Sequence, residues 1–272
     1  MQGELAQLIS LTSYGNEYLK SGNLPLFYYP EHHTFKFCRL VEFVIPGDRK
    51  ASYELVWAEN PLSWFEKLKQ EGCSGLKLYY QRSDPHPLAQ EYQLIAFIGG
   101  GGRWLIETEI NGQAQYWLKR WELTNREDPE QKIWTVHYMR LEEKTPPVNQ
   151  HFEIDEVKIE FESVLTALID FCKRQDLPQW GPVFLSGKNI LTSPMAFPEN
   201  HDLDLLVNKN YTHVAQQLLY AIDESWVFGG MGSWNDIGFE DVAVQKEYDE
   251  LSGRLYAVMM KGIIAVVNSI CP

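Results

Sequence analysis

Cysteine is scarce in this chain of 272 residues, and the four that occur, Cys38, Cys73, Cys172 and Cys271, lie far apart with no CxxC pair. That spacing excludes the usual zinc-ribbon and dithiol readings and leaves reduced, mostly buried thiols. Positive charge is short as well: 24 Lys and Arg face 37 Asp and Glu, a formal net charge of −13. No basic cluster reverses this balance locally, so a polyanion would be repelled and nucleic acid is not expected as a partner. Long apolar runs are missing too. The most hydrophobic segment, residues 255–271, carries Lys261 and Asn268 and is shorter than the ~20 residues that span a bilayer. It reads as a buried helix, and no membrane association is expected. Residues 1–20 lack the basic start, apolar stretch and cleavage site of a secretory signal. They read as a helix of the mature fold in a cytoplasmic protein.

Catalytic signatures are equally absent. The run Gly99-Gly100-Gly101-Gly102 leads into Arg103-Trp104-Leu105-Ile106, a strand pattern, whereas a phosphate cradle needs a helix N-terminus after its glycines. A flexible hairpin tip is the expectation. His201-Asp202-Leu203-Asp204 offers three ligand-type side chains in four residues, but no HExxH, no GxSxG and no further ligand at recognisable spacing accompanies it. It reads as a solvated, helix-capping turn, and His32-His33, following Pro30, as a solvated loop pair. No catalytic residue, metal or cofactor is therefore expected, and the chain points away from an enzyme.

What the chain does hold is 44 % hydrophobic residues, with 13 Phe, 14 Tyr and 9 Trp, enough to close a core. Residues 34–45, 53–57, 75–81, 91–98, 104–110, 114–123 and 132–141 alternate β-branched and aromatic residues between turn residues and read as strands. A helix interrupts them, with Asn60 as its cap, Pro61 in its first turn and Gly72 at its end. Asn111-Gly112 is the best hairpin signal, because a tight primed turn needs positive φ at both positions. Two prolines in residues 145–151 mark a change of texture. Beyond it, residues 155–173, 212–226 and a segment from about Glu240 follow helical periodicity. The long connection between the first two, residues 175–200, is either functional or hides a short strand at residues 183–185. Strands followed by helices imply an α+β fold, with a mainly antiparallel sheet over residues 34–141. The expected division is a β-rich part, residues 1–145, with an N-terminal helix, and an acidic, mainly helical part, residues 146–272.

Charge is divided unequally between these parts. Residues 1–150 carry a net −3 and residues 151–272 a net −10. The sheet is aromatic on both faces, so either both are buried or an aromatic patch is left open. The most distinctive segment is WVFGGMGSWND, residues 226–236, where glycines between two tryptophans bring backbone amides close to whatever docks there. Together these features suggest a non-enzymatic interaction protein, of inhibitor, immunity or chaperone type, that holds a basic protein on an acidic and aromatic surface. The expected contact residues are Trp226, Gly230, Trp234, Asp236, Glu240, Asp241, Glu247, Asp249 and Glu250. The alternatives are a hydrolase with a pocket between sheet and late helices, drawing on His201, Asp202, Asp204 or Asp236, and an aromatic-lined module for carbohydrate or another flat ligand. Self-association through the apolar C-terminal helix is a further expectation.

Overall fold

The computed structural model describes residues 1–47, 54–83, 90–94, 101–141, 150–193 and 203–271. Its helices are α1 (Gly3–Ser21), α2 (Pro61–Gln70), α3 (Glu91–Leu94), α4 (Ile154–Arg174), α5 (Gly181–Thr192), α6 (His213–Glu224) and α7 (Val242–Asn268). The strands are β1 (Cys38–Pro46), β2 (Glu54–Ala58), β3 (Cys73–Gln81), β4 (Arg103–Ile110), β5 (Gln113–Leu123) and β6 (Trp134–Arg140). They form one sheet in the order β2-β1-β6-β5-β4-β3. The fold is α+β.

Local chemistry starts several of these elements. Asn60 Oδ1 accepts from the Ser63 amide at 2.9 Å while Ser63 Oγ accepts from the Asn60 amide at 3.2 Å, a reciprocal cap that launches α2 with Pro61 at its first position. Asn111 and Gly112 take φ of 52° and 72°, and the tight turn they make sets β4 antiparallel to β5. Asp241 caps α7 by accepting from the amides of Ala243 and Val244.

Four of the five strand pairings are antiparallel, but β1 runs parallel to β6, so the sheet is mixed. Two expected elements are replaced. Residues 91–94 form the short helix α3, not the start of a strand, and residues 95–98 lie outside the described residues. The connection read as either functional or hiding a strand at residues 183–185 holds no strand there but α5, with Pro182 in its first turn, where no amide donor is needed. Residues 34–37 do not begin β1: His33–Phe35 is a 3-10 turn. Gly99 and Gly100, and most of the expected boundary at residues 145–151, also lie outside the described residues.

One face of the sheet carries the core. Phe43 stacks between Trp64 of α2 and Tyr138 of β6, and the Tyr138 hydroxyl donates to Gln7 Oε1 of α1 at 2.8 Å. The opposite face is more polar, with Arg120 paired to Glu54 and Glu122, and Tyr116 donating to Glu107. A single apolar cluster runs from Leu5 to Val267 and so takes in both expected parts of the chain. The apolar end of α7 is spent there: Leu255, Val258, Met259, Ile263, Val266 and Val267 are fully buried. The face from which self-association was expected is therefore covered by the chain itself. No described helix is long and apolar enough to cross a membrane.

β3 lies at the end of the sheet, and three primary amides occupy its outer rim. The side chain of Asn16 (α1) both donates to and accepts from the backbone of Leu76, at 2.8 and 2.8 Å. Asn268 (α7) does the same for Leu78, at 2.9 and 2.7 Å, and Gln150 for Tyr80, at 2.6 and 3.0 Å. Each carboxamide offers one donor and one acceptor, as a neighbouring peptide would, so alternate residues of β3 are satisfied without a seventh strand.

Candidate functional site

The structure brings only part of the expected contact set to the surface. Trp234 is fully buried, its indole donating to Ser252 Oγ at 2.7 Å and its carbonyl accepting from the Tyr248 hydroxyl. This corrects its place in the set: it supports the loop from within and touches nothing outside. Trp226 is half-buried and donates to the Phe228 carbonyl at 2.8 Å, and Gly230 is exposed. Two of the acids have structural duties. Glu247 forms a two-point pair with Arg174, at 2.6 and 3.1 Å, and Asp249 accepts from the Tyr92 hydroxyl at 3.0 Å. Glu250 lies 3.8 Å from Lys246, one turn away, and Asp241 is the α7 cap. Asp236 accepts from the Gly232 amide and, like Glu240, Asp241 and Glu250, is exposed.

The loop itself is firmly braced. Ser233 Oγ donates to the Gly229 carbonyl at 3.0 Å, and Asn235 Nδ2 reaches the Tyr92 carbonyl at 3.0 Å. Trp234 packs edge-on to Trp180 and Phe184 beneath it. The loop leaves Met231 completely exposed, and Val242, at the start of α7, is 83 % exposed; both are close in sequence to Asp236, Glu240 and Asp241. Sequence reasoning singled out this loop by its glycines and tryptophans but passed over Met231 and Val242, whose exposure only the packing reveals.

A cavity of about 140 Å³ does lie where sheet meets α7, lined by Tyr80, Glu91 and Tyr256 among others. The Tyr80 hydroxyl donates to Glu91 at 2.8 Å and meets the Tyr256 hydroxyl at 2.8 Å, and burial raises both phenols far above their usual range. None of the carboxylates named for a hydrolase pocket lines it: Asp204 and Asp236 are elsewhere, and His201 and Asp202 fall outside the described residues.

The histidine pair is the larger departure. His32 is no solvated loop residue: its side chain is fully buried, stacked on His33 with ring centroids 4.6 Å apart and lying edge-on to Tyr14. Asp204 comes to it from 172 residues away, at the 3-10 turn Leu203–Leu205. Its carboxylate stands 2.8 Å from His33 Nδ1 and 3.3 Å from His32 Nε2, and its carbonyl lies 3.0 Å from His32 Nε2. The Tyr14 hydroxyl donates to the same carbonyl at 2.9 Å, which fixes the turn. Burial works against the Asp204 charge, but His33 and His32 outweigh it and hold the carboxyl below its ordinary value. Asp204 is thus half-buried and engaged, not a freely solvated cap. The signal for this cluster was the aromatic company of the histidines, Tyr28, Tyr29 and Phe35, which marks a segment headed for the interior. No protein family, curated protein or solved structure matches this chain.

Proposed function

We propose that the protein holds a basic protein partner on the surface formed by residues 229–241 and the first turns of α7, in a role of inhibitor, immunity or chaperone type. The observation that carries this reading is the exposure of Met231 on the braced loop and of Val242 at the start of α7, in a stretch of chain that also exposes Asp236, Glu240, Asp241 and Glu250. Apolar anchors surrounded by polar groups are the anatomy of a contact surface, and a loop already fixed in place loses little freedom on binding. The acids add attraction for a cationic partner and speed its arrival. Four cysteines without a disulfide among them suit the reducing cytoplasm.

The test is retention of proteins from a native extract by the immobilised chain, compared with Met231→Asp and with Glu240→Lys/Glu250→Lys. The reading expects a partner that the unaltered chain holds at low salt, that is released as salt rises, and that both variants fail to retain. Retention that survives both variants, or that ignores ionic strength, overturns it.

A further inference from the structure

Three donor side chains from two distant segments converge at the start of the 3-10 turn His33–Phe35. One ring nitrogen each of His32 and His33 and a carboxylate oxygen of Asp204 all lie within 4.8 Å of one another. We propose that these three groups form a binding site for a single late first-row divalent cation of the Zn²⁺ type, with its remaining coordination positions taken by water. The donor set decides the class of ion. Two imidazoles and one carboxylate suit Zn²⁺ and its neighbours, whereas Mg²⁺ and Ca²⁺ call for oxygen donors throughout.

The geometry is close to what such an ion needs. Donors bound tetrahedrally at roughly 2.0–2.2 Å stand about 3.3–3.6 Å apart. One carboxylate oxygen of Asp204 is already 3.3 Å from His32 Nε2, and the other is 2.8 Å from His33 Nδ1. Seating an ion therefore replaces these contacts and draws the two imidazoles toward the Asp204 carboxylate from either side. The surroundings also resemble a supported site, because His32 is held by Thr34 in either proton arrangement. The Thr34 amide donates to His32 Nδ1 at 3.3 Å, which leaves the proton on Nε2, directed at the Asp204 carbonyl. Thr34 Oγ1, 2.9 Å from the same Nδ1, can accept a proton there instead; the bonds from the Thr34 amide and to the Asp204 carbonyl are then given up, and the Nε2 lone pair is freed for the ion. That second arrangement is the hydrogen bond by which metal-binding histidines are commonly oriented. His33 and Asp204 have side chains 34 % and 40 % exposed, so the ion has a route in and room for water. Elsewhere among the described residues, His137 with Glu42 and His151 with Glu153 bring two donors together and no third.

The experiment titrates the metal-free protein with Co²⁺, whose visible absorption reports four-coordinate binding, and then displaces it with Zn²⁺. One equivalent per chain is expected, with no response to Mg²⁺. His33→Ala and Asp204→Asn, both at partly exposed side chains, should each weaken binding by at least ~10-fold, and Thr34→Val by a similar factor through loss of the orienting hydroxyl. Circular dichroism of the metal-free variants checks that each is folded. The absence of a saturable one-equivalent spectrum in the unaltered protein overturns the proposal without recourse to any variant. So does Zn²⁺ binding that folded His33→Ala and Asp204→Asn leave unchanged, which would place the ion elsewhere on the chain.

Discussion

Gly187 of α5 packs against the C-terminal end of α6, and replacing it offers a quantitative test of that contact. A methyl group built on Gly187 would stand 1.8 Å from Ser225 Oγ, 3.2 Å from Ser225 Cβ and 3.1 Å from the Ala221 carbonyl oxygen. The first contact involves a hydroxyl, and the other two involve atoms fixed to the backbone of α6. Overpacking of this kind costs about 1–3 kcal/mol, while alanine in place of glycine inside a helix returns about 1 kcal/mol. Because the carbonyl has nowhere to rotate, the steric cost should fall in the upper part of its range, and Gly187→Ala should destabilise by about 1–2 kcal/mol. In a chain of this size that lowers the melting temperature by roughly 2–8 °C. Ser225→Ala provides the control. Ser225 Oγ is buried with no hydrogen-bond partner among the described residues, so its removal alone should be neutral or stabilising by up to about 1 kcal/mol. With the hydroxyl gone, the worst contact is gone, and Gly187→Ala should cost less in that background. Urea denaturation of the four proteins of the cycle then gives a coupling above about 0.5 kcal/mol. Strict additivity, or a Gly187→Ala protein that melts at or above the parent temperature, would refute the packing described here.

Asn268→Ala removes both partners of the Leu78 backbone at a position where Leu78 itself is buried, so stability should fall by about 1–3 kcal/mol, measured by denaturant titration. Unchanged stability would show that water replaces the amide at no cost. Glu17 supplies the pH dependence. Burial opposes its charge, but hydrogen bonds from Lys209, Asn210 and Ser21 win and lower its pKa from the ordinary 4.5. A carboxyl depressed in the folded state contributes stability that is complete above the unfolded value and is lost as pH falls through the native one. Thermal melts should therefore show an acid limb below about pH 4.5 that is shallower in Glu17→Gln, and identical limbs would exclude Glu17 as a contributor.

Elements set by neighbouring residues were legible in the sequence, and those set by distant ones were not. The Asn60-Pro61 start of α2 and the Asn111-Gly112 turn each draw their conformation from two or three adjacent side chains, so their chemistry could be read directly. The helix α5 escaped because its buried stripe is Phe184, Gly187 and Leu191. That stripe has helical spacing only if a glycine is counted as a packing residue, and glycine reads as a turn. The parallel pairing of β1 with β6 joins residues about a hundred positions apart, with no local signal at either strand. The histidine and aspartate cluster has the same origin. His32 and Asp204 are ordinary polar residues until the chain returns, and the acid nearest in sequence to Asp204, Asp202, drew attention to a local motif instead of a distant partner. The loop at residues 226–236 stood out because its composition is unusual within a dozen residues. Which of its side chains face outward depended on Ser252 and Tyr248 in α7, and so could not be foreseen.

The amides of Asn16, Gln150 and Asn268 have a consequence for how copies of this chain can join. A sheet open at both margins can recruit strands on either side and grow without end. Here one margin is sealed, and the other is β2, five residues long, with Leu55 and Val56 half in solvent. Two copies that met margin to margin through β2 would exhaust each other's capacity for further strand exchange. Such recruitment stops at two, and the route to a ribbon or fibril through this sheet is closed by three side chains on otherwise unrelated parts of the chain.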